Sequence, residues 1–118
     1  MTETEAQTFA HEWVTAWNSH DLSRILSHYD PQVVLTSPVA ARLLNDSSGK
    51  VAGKNALEAY FRKGLEVFPN LAFQLLGVMN GLSSIVLQYR NQNGKVCGEY
   101  MEFGPDAKVV RVVAHYAD

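Results

Sequence analysis

At 118 residues the chain is long enough for one real core and too short for two. Net charge is −2, and the ten Lys and Arg are scattered, with only Arg62 and Lys63 adjacent, so the dense cationic stripe that captures nucleic acid is missing. A lone cysteine, Cys97, excludes an internal disulfide and the multi-cysteine zinc frameworks.

The N-terminal stretch Met1 to Gln7 is acidic and polar, the reverse of a signal peptide's basic-then-apolar order. No apolar run approaches the roughly 20 residues needed to cross a bilayer. The expectation is a soluble, cytoplasmic protein with no membrane partner. Thr2 and Glu5 then stand at capping-box spacing, in which each side chain satisfies a free backbone amide. Ala6, Phe9, Ala10, Trp13, Val14 and Trp17 recur at intervals of three and four, which predicts a first amphipathic helix. After a polar joint, Asp21 caps a second short helix carrying Leu22, Ile25, Leu26 and Tyr29, which Pro31 stops. Val33 to Ser37 reads as a strand.

From Pro38 to Gly53 the pattern breaks around the polar tip Asn45 to Gly49, and a surface loop is expected. Asn55 with Glu58 opens a third helix with the apolar face Leu57, Tyr60, Phe61, Leu65 and Phe68, closed by Pro69. Thereafter the period falls to two: four strands are expected at roughly 71–79, 82–92, 95–104 and 107–117. Asn80-Gly81 and Asn93-Gly94 are type I′ hairpin signals, and Gly104-Pro105-Asp106 is a third turn. Three helices followed by a curling antiparallel meander make an α+β single domain over 1–118. The last strand is apolar at almost every position from Val109 to Ala114, so cover on both faces is expected. The helices supply one cover and a second copy of the chain the other, giving a homodimer through the outer sheet face.

A tryptophan-bearing first helix ending in Trp17-Asn18 is followed by Asp21-Leu22, Leu26 and Tyr29-Asp30. Later come Ser37-Pro38, Gly53, Ala56-Leu57, Tyr60-Phe61, Pro69-Asn70-Leu71, Met101-Glu102-Phe103 and Lys108-Val109-Val110. In these residues, spread over nearly the whole chain, the sequence resembles the nuclear transport factor 2-like superfamily, in its SnoaL-like polyketide cyclase and ketosteroid isomerase branch. The resemblance implies a cone: a strongly bent, mainly antiparallel sheet wrapped around three helices, with an apolar pocket at the open end. It also implies frequent dimers. The cone hosts isomerases, cyclases, hydratases, hydrolases and pure carriers, so the fold does not fix the activity.

Carried over position by position, the isomerase branch places its carboxylate base on Ser37, its tyrosine on Trp13 and its acid on Glu99. Only Glu99 keeps its chemistry, which speaks against ketosteroid isomerase activity. The aspartates used by cyclases and epoxide hydrolases of the superfamily have no counterpart either, because Asp30, Asp46, Asp106 and Asp118 fall in turns or at the terminus.

Glu99 shares strand parity with Cys97, Met101 and Phe103. A carboxyl on that face sits in an apolar cup, where burial raises its pKa into the range of a general acid or base. The alternative is a strand-end residue that reaches water or pairs with Arg90. Trp13, Trp17, Tyr29, Phe61, Phe73, Tyr89, Met101, Val112 and Tyr116 are the expected lining of a site for a small hydrophobic or aromatic molecule, with a filled core as the alternative. Arg111, Val113 and His115 should face outward by the family's pattern, and a one-residue slip would invert that. His11, His20 and His28 share no metal-ligand spacing, so neither a metal nor another cofactor is expected. Cys97 reads as a small buried hydrophobe. The sequence leaves two functions open: acid–base chemistry at Glu99, with Ser37, Tyr89 and Tyr116 as hydrogen-bonding helpers, or non-catalytic binding, as a ligand carrier or a docking domain with a filled pocket.

Overall fold

A computed structural model describes residues 1–117; Asp118, one of the aspartates assigned above to turns or the terminus, lies outside them. Helix α1 spans Glu3–Ser19 and α2 spans Leu22–Leu26. The Thr2 hydroxyl accepts from the Glu5 N–H at 3.1 Å and the Glu5 carboxylate accepts from the Thr2 N–H at 2.9 Å, so the expected capping box forms. His20, in the left-handed region at φ 58°, ends α1 and donates its N–H to the Trp17 carbonyl. The Asp21 carboxylate then accepts from the Arg24 N–H to start α2. This helix ends before Tyr29, which instead begins strand β1, Tyr29–Thr36. Pro31 is tolerated inside the strand because the β1 register shifts between Tyr29 and Val34, where a missing N–H interrupts no ladder.

The stretch 38–53 is not the free loop that its polar tip suggests. It folds into a fourth helix, α3 (Pro38–Leu43), and a short strand, β2 (Lys50–Ala52). Ser37 caps α3 by accepting from the Val39 N–H at 3.1 Å, with Pro38 in the first turn, where its missing N–H is harmless. The chain then returns so tightly that a Cβ on Gly49, which sits at φ +60°, would lie 2.5 Å from the Ser37 carbonyl oxygen. Only glycine fits there. Helix α4 runs Lys54–Val67 with Gly53, not Asn55, at its start, and buries Leu57, Tyr60 and Phe61.

The meander comprises β3 (Gln74–Asn80), β4 (Ser84–Arg90), β5 (Val96–Phe103) and β6 (Val109–Tyr116). It is part of a six-stranded sheet ordered β2-β1-β6-β5-β4-β3, antiparallel throughout except that β1 runs parallel to β6. Neither expected type I′ turn forms, because that turn needs two positive φ values and only Gly94 of the four residues has one. Asn80 instead closes β3, and Asn91 organises the second turn by accepting from the N–H groups of Asn93 and Lys95.

The sheet curls around α1 and α4, and its inner face meets them in a core centred on Trp13, Tyr29, Ile25, Leu87, Met101 and Val112, all nearly inaccessible. On β6, Val109, Val112 and Ala114 are buried while Arg111 and His115 are exposed, so the strand alternates as the outward assignment of Arg111 and His115 requires. Among the described residues no helix is long and apolar enough to cross a membrane.

Candidate functional site

At the open end of the curled sheet lies a cup of about 370 Å³. Its walls are aromatic. Trp17 from α1 meets Phe61 from α4 edge-on at 4.7 Å between ring centroids, and Phe73 lies 4.3 Å from Tyr89 on β4. Tyr29, Tyr60 and Tyr116 add three more rings, and Leu35, Val39, Phe68, Leu71 and Ala114 complete the apolar surface. Ser37, Arg42, Gln92 and Lys95 are among the polar residues of the lining. Such a surface, mostly apolar with a few placed polar groups, suits an organic molecule.

Of the expected lining, Trp17, Tyr29, Phe61, Phe73, Tyr89 and Tyr116 border this space, and so do Glu99 and Ser37. Trp13, Met101 and Val112 do not. Trp13 is 1% exposed, with Phe73 stacked on it at 5.7 Å and Tyr89 at 5.3 Å, so these two rings stand between it and the cavity. Met101 and Val112 pair across β5 and β6 on the same face as Glu99 and Ala114, but two residues nearer the closed end, where both are fully buried. Parity fixed the face correctly and left the depth undetermined. Tyr60, Arg42, Gln92 and Lys95 were not anticipated. Tyr60 was visible on the apolar face of α4, whereas nothing local in the sequence announces that Arg42 and Lys95 meet at one cavity.

Glu99 is 7% exposed and lies opposite Leu87 on β4 and Ala114 on β6. The Tyr89 hydroxyl donates to its Oε2 at 2.7 Å. Its Oε1 receives no hydrogen bond from the described residues and is not sealed from solvent. The alternative of a surface carboxylate paired with Arg90 does not hold: Arg90 is exposed and donates to the Gly94 carbonyl. Burial raises the Glu99 carboxyl to about 7, against the opposing pull of the Tyr89 hydrogen bond.

The same burial raises the surrounding hydroxyls. Tyr89, Tyr29 and Tyr116 are all pushed up, first by desolvation and then by the Glu99 charge, and Tyr60 is pushed up to about 12, chiefly by desolvation. The tyrosines therefore remain protonated donors at neutral pH while Glu99 exchanges between acid and base. Cys97, buried and raised to about 11 chiefly by desolvation, points its thiol at the Lys95 carbonyl at 3.6 Å and is no nucleophile near neutrality.

Two details orient the hydroxyls. The Trp13 indole N–H donates to the Tyr29 oxygen at 2.9 Å; an indole can only donate, so the Tyr29 proton is left for another acceptor. The Ser37 hydroxyl, occupied in capping α3, also lies 3.5 Å from the Tyr116 hydroxyl. Among the described residues the Trp17 indole N–H is buried without a hydrogen-bond partner, although it lies near enough to the Tyr29 hydroxyl to favour its ionised form. No histidine lines the cup, and His115 is exposed on the outer face. Among the described residues no three His, Cys, Asp or Glu side chains gather as a metal site would require.

The family model of the SnoaL-like domain matches residues 10–117. A SnoaL-like protein of unknown function from Burkholderia thailandensis is 39% identical and superposes with a TM-score of 0.95 over 99% of this chain and 98% of that one. A proposed hydroxylase from Streptomyces galilaeus (23% identity, TM-score 0.73, 98% and 91% of the two chains) shares the fold. So does a proposed ketosteroid isomerase from Kribbella flavida (13%, 0.77, 98% and 79%). No curated protein matches. The matched span and the cone-shaped architecture agree, and the chain belongs to the SnoaL-like domain family.

Proposed function

We propose that the cup receives a small hydrophobic or aromatic molecule and that Glu99 performs general acid–base chemistry on it, of the isomerase, cyclase or hydratase kind. The observation that carries this reading is a single buried carboxyl, among the described residues, on the lining of a mostly apolar cavity, with Tyr89 on one oxygen and the other unengaged. A carboxyl poised near neutrality is both a usable base and a usable acid. Ionised, Glu99 takes a proton from a carbon next to a carbonyl; protonated, it returns that proton elsewhere on the same molecule. The charge that develops on the carbonyl oxygen is met by the hydroxyls of Tyr29 and Tyr116, which burial keeps protonated. Ser37, carried over to the position of the family's base, acts as a helper beside Tyr116.

In deuterated water, the protein should accelerate hydrogen–deuterium exchange at the carbons flanking the carbonyl of 2-tetralone, an enolisable bicyclic ketone, as followed by proton NMR. Glu99→Gln should lower that acceleration by about 10²–10⁴-fold. Saturable 2-tetralone binding with no acceleration by the wild-type protein would instead support the carrier reading. One observation favours that second reading: the hydroxyl standing where the family's base would be is engaged in capping a helix.

The outer face of the sheet carries a row of partly or fully exposed residues running through Met79, Val86, Tyr100 and Val113 on four adjacent strands. Arg111 and Glu102, paired at 3.4 Å, flank it. A two-fold interface sets the same patch of each copy against the other, and an apolar row flanked by both charge signs suits that arrangement, so the same face of a second copy is the proposed cover. Size-exclusion chromatography with light scattering should give twice the 13.1 kDa chain mass; a monomer at micromolar concentration would remove the proposal.

A further inference from the structure

We infer that the molecule taken into the cup carries a carboxylate, held at the mouth by Arg42 and Lys95. The inference rests on the small-molecule reading above and specifies its ligand.

Arg42 lies in α3 and Lys95 in the turn before β5, so elements remote in sequence bring two cations to one cavity. Both are exposed, and neither belongs to the ion pairs formed among the described residues, which join Arg24 to Glu12, Arg62 to Glu58 and Arg111 to Glu102. Among the described residues the only acid in the lining is Glu99, buried against Tyr89. The lining is therefore cationic although the chain as a whole carries −2.

A third group converges on the same space. Gln92 lines the cavity, and among the described residues its Oε1 is buried without a partner. Its Nε2 is neither bonded to those residues nor sealed from solvent, so the amide offers an anion its N–H groups. A guanidinium, an ammonium and an amide around one opening fit a carboxylate, which the planar guanidinium can grip with two parallel hydrogen bonds. None of the three is needed by the chemistry at Glu99. The ligand that satisfies both ends is an aromatic or alicyclic acid, its apolar body between Trp17, Phe61 and Phe73 and its carboxylate outward.

The test compares 2-naphthoate with 2-acetylnaphthalene, equal in shape and differing in charge, by quenching of tryptophan fluorescence. The wild-type protein should bind 2-naphthoate more tightly by about five- to tenfold, a preference that shrinks in high salt. Arg42→Glu with Lys95→Glu should invert the preference, weakening 2-naphthoate far more than 2-acetylnaphthalene. If that variant loses 2-acetylnaphthalene as well, Arg42→Gln with Lys95→Gln provides the test, with the two probes expected near parity. Equal or tighter binding of 2-acetylnaphthalene by the wild-type protein would overturn the inference. So would a 2-naphthoate preference that survives removal of both charges. Binding of neither probe would overturn the small-molecule reading itself, and this inference with it.

Discussion

Glu99→Gln should match the wild-type protein in stability near pH 4 and exceed it above pH 7 by roughly 3 kcal/mol. The sign follows from the direction of the shift. The Glu99 carboxyl is raised from 4.5 to about 7 by burial. Between those values the unfolded chain has already released the proton that the folded chain still holds. The folded state thus binds more protons than the unfolded state, and stability falls as pH rises through this window. Below it both states are protonated and the penalty is absent; above it the full cost of ionising a buried carboxyl is present. Glutamine keeps the shape, and its amide oxygen can still accept from Tyr89, but it has no charge to bury. Urea midpoints of the two proteins at pH 4, 6 and 8 would show the difference opening as pH rises. Parallel curves would mean that Glu99 ionises in contact with water.

Trp13→Ala should cost roughly 3–5 kcal/mol, the range for truncating a large buried aromatic. That is a large share of the stability typical of a domain, about 5–15 kcal/mol. The indole is 1% exposed and packs against Trp17, Phe73 and Tyr89, and its N–H is the hydrogen-bond donor to the Tyr29 hydroxyl. Truncation removes the packing, opens a cavity beneath the floor of the cup and takes away that donor together. Trp13→Phe, which keeps most of the packing, should cost less, about 1–3 kcal/mol, for the unpaired buried hydroxyl. Chemical denaturation of the three proteins separates these contributions. A loss below about 1 kcal/mol for Trp13→Ala would mean that the ring borders open space, because such a small loss is typical of surface positions.

Much of this fold is written locally. The Thr2–Glu5 capping box, the stripe through Trp13 and Trp17, and the alternation from Cys97 to Phe103 each follow from one short window of residues; the first marked a helix start and the other two the face that their side chains occupy. What escaped is non-local or depends on depth. The parallel pairing of β1 with β6 joins residues such as Leu35 and Val112, which no short window connects. Helix α3 was masked because Ser37-Pro38 reads equally as a turn and as a capped helix start, and the polar tip beyond it favours the turn. Trp13 and Trp17 stand one helical turn apart on one stripe, yet only Trp17 reaches the cavity. The mouth residues Arg42, Gln92 and Lys95 carry no periodic signal at all.

The proposed chemistry depends most on the state of one carboxyl, and that state is directly observable. A carbon-13 NMR titration of the Glu99 side-chain carboxyl, assigned by its absence in Glu99→Gln, should show a midpoint near 7, the value to which burial raises it. Tyr89→Phe should move that midpoint higher still, since the tyrosine's hydrogen bond favours the charged form. A midpoint near 4.5, the ordinary glutamate value, unmoved by Tyr89→Phe, would contradict it: the cup would then hold a solvated carboxylate with no reason to exchange protons at neutral pH.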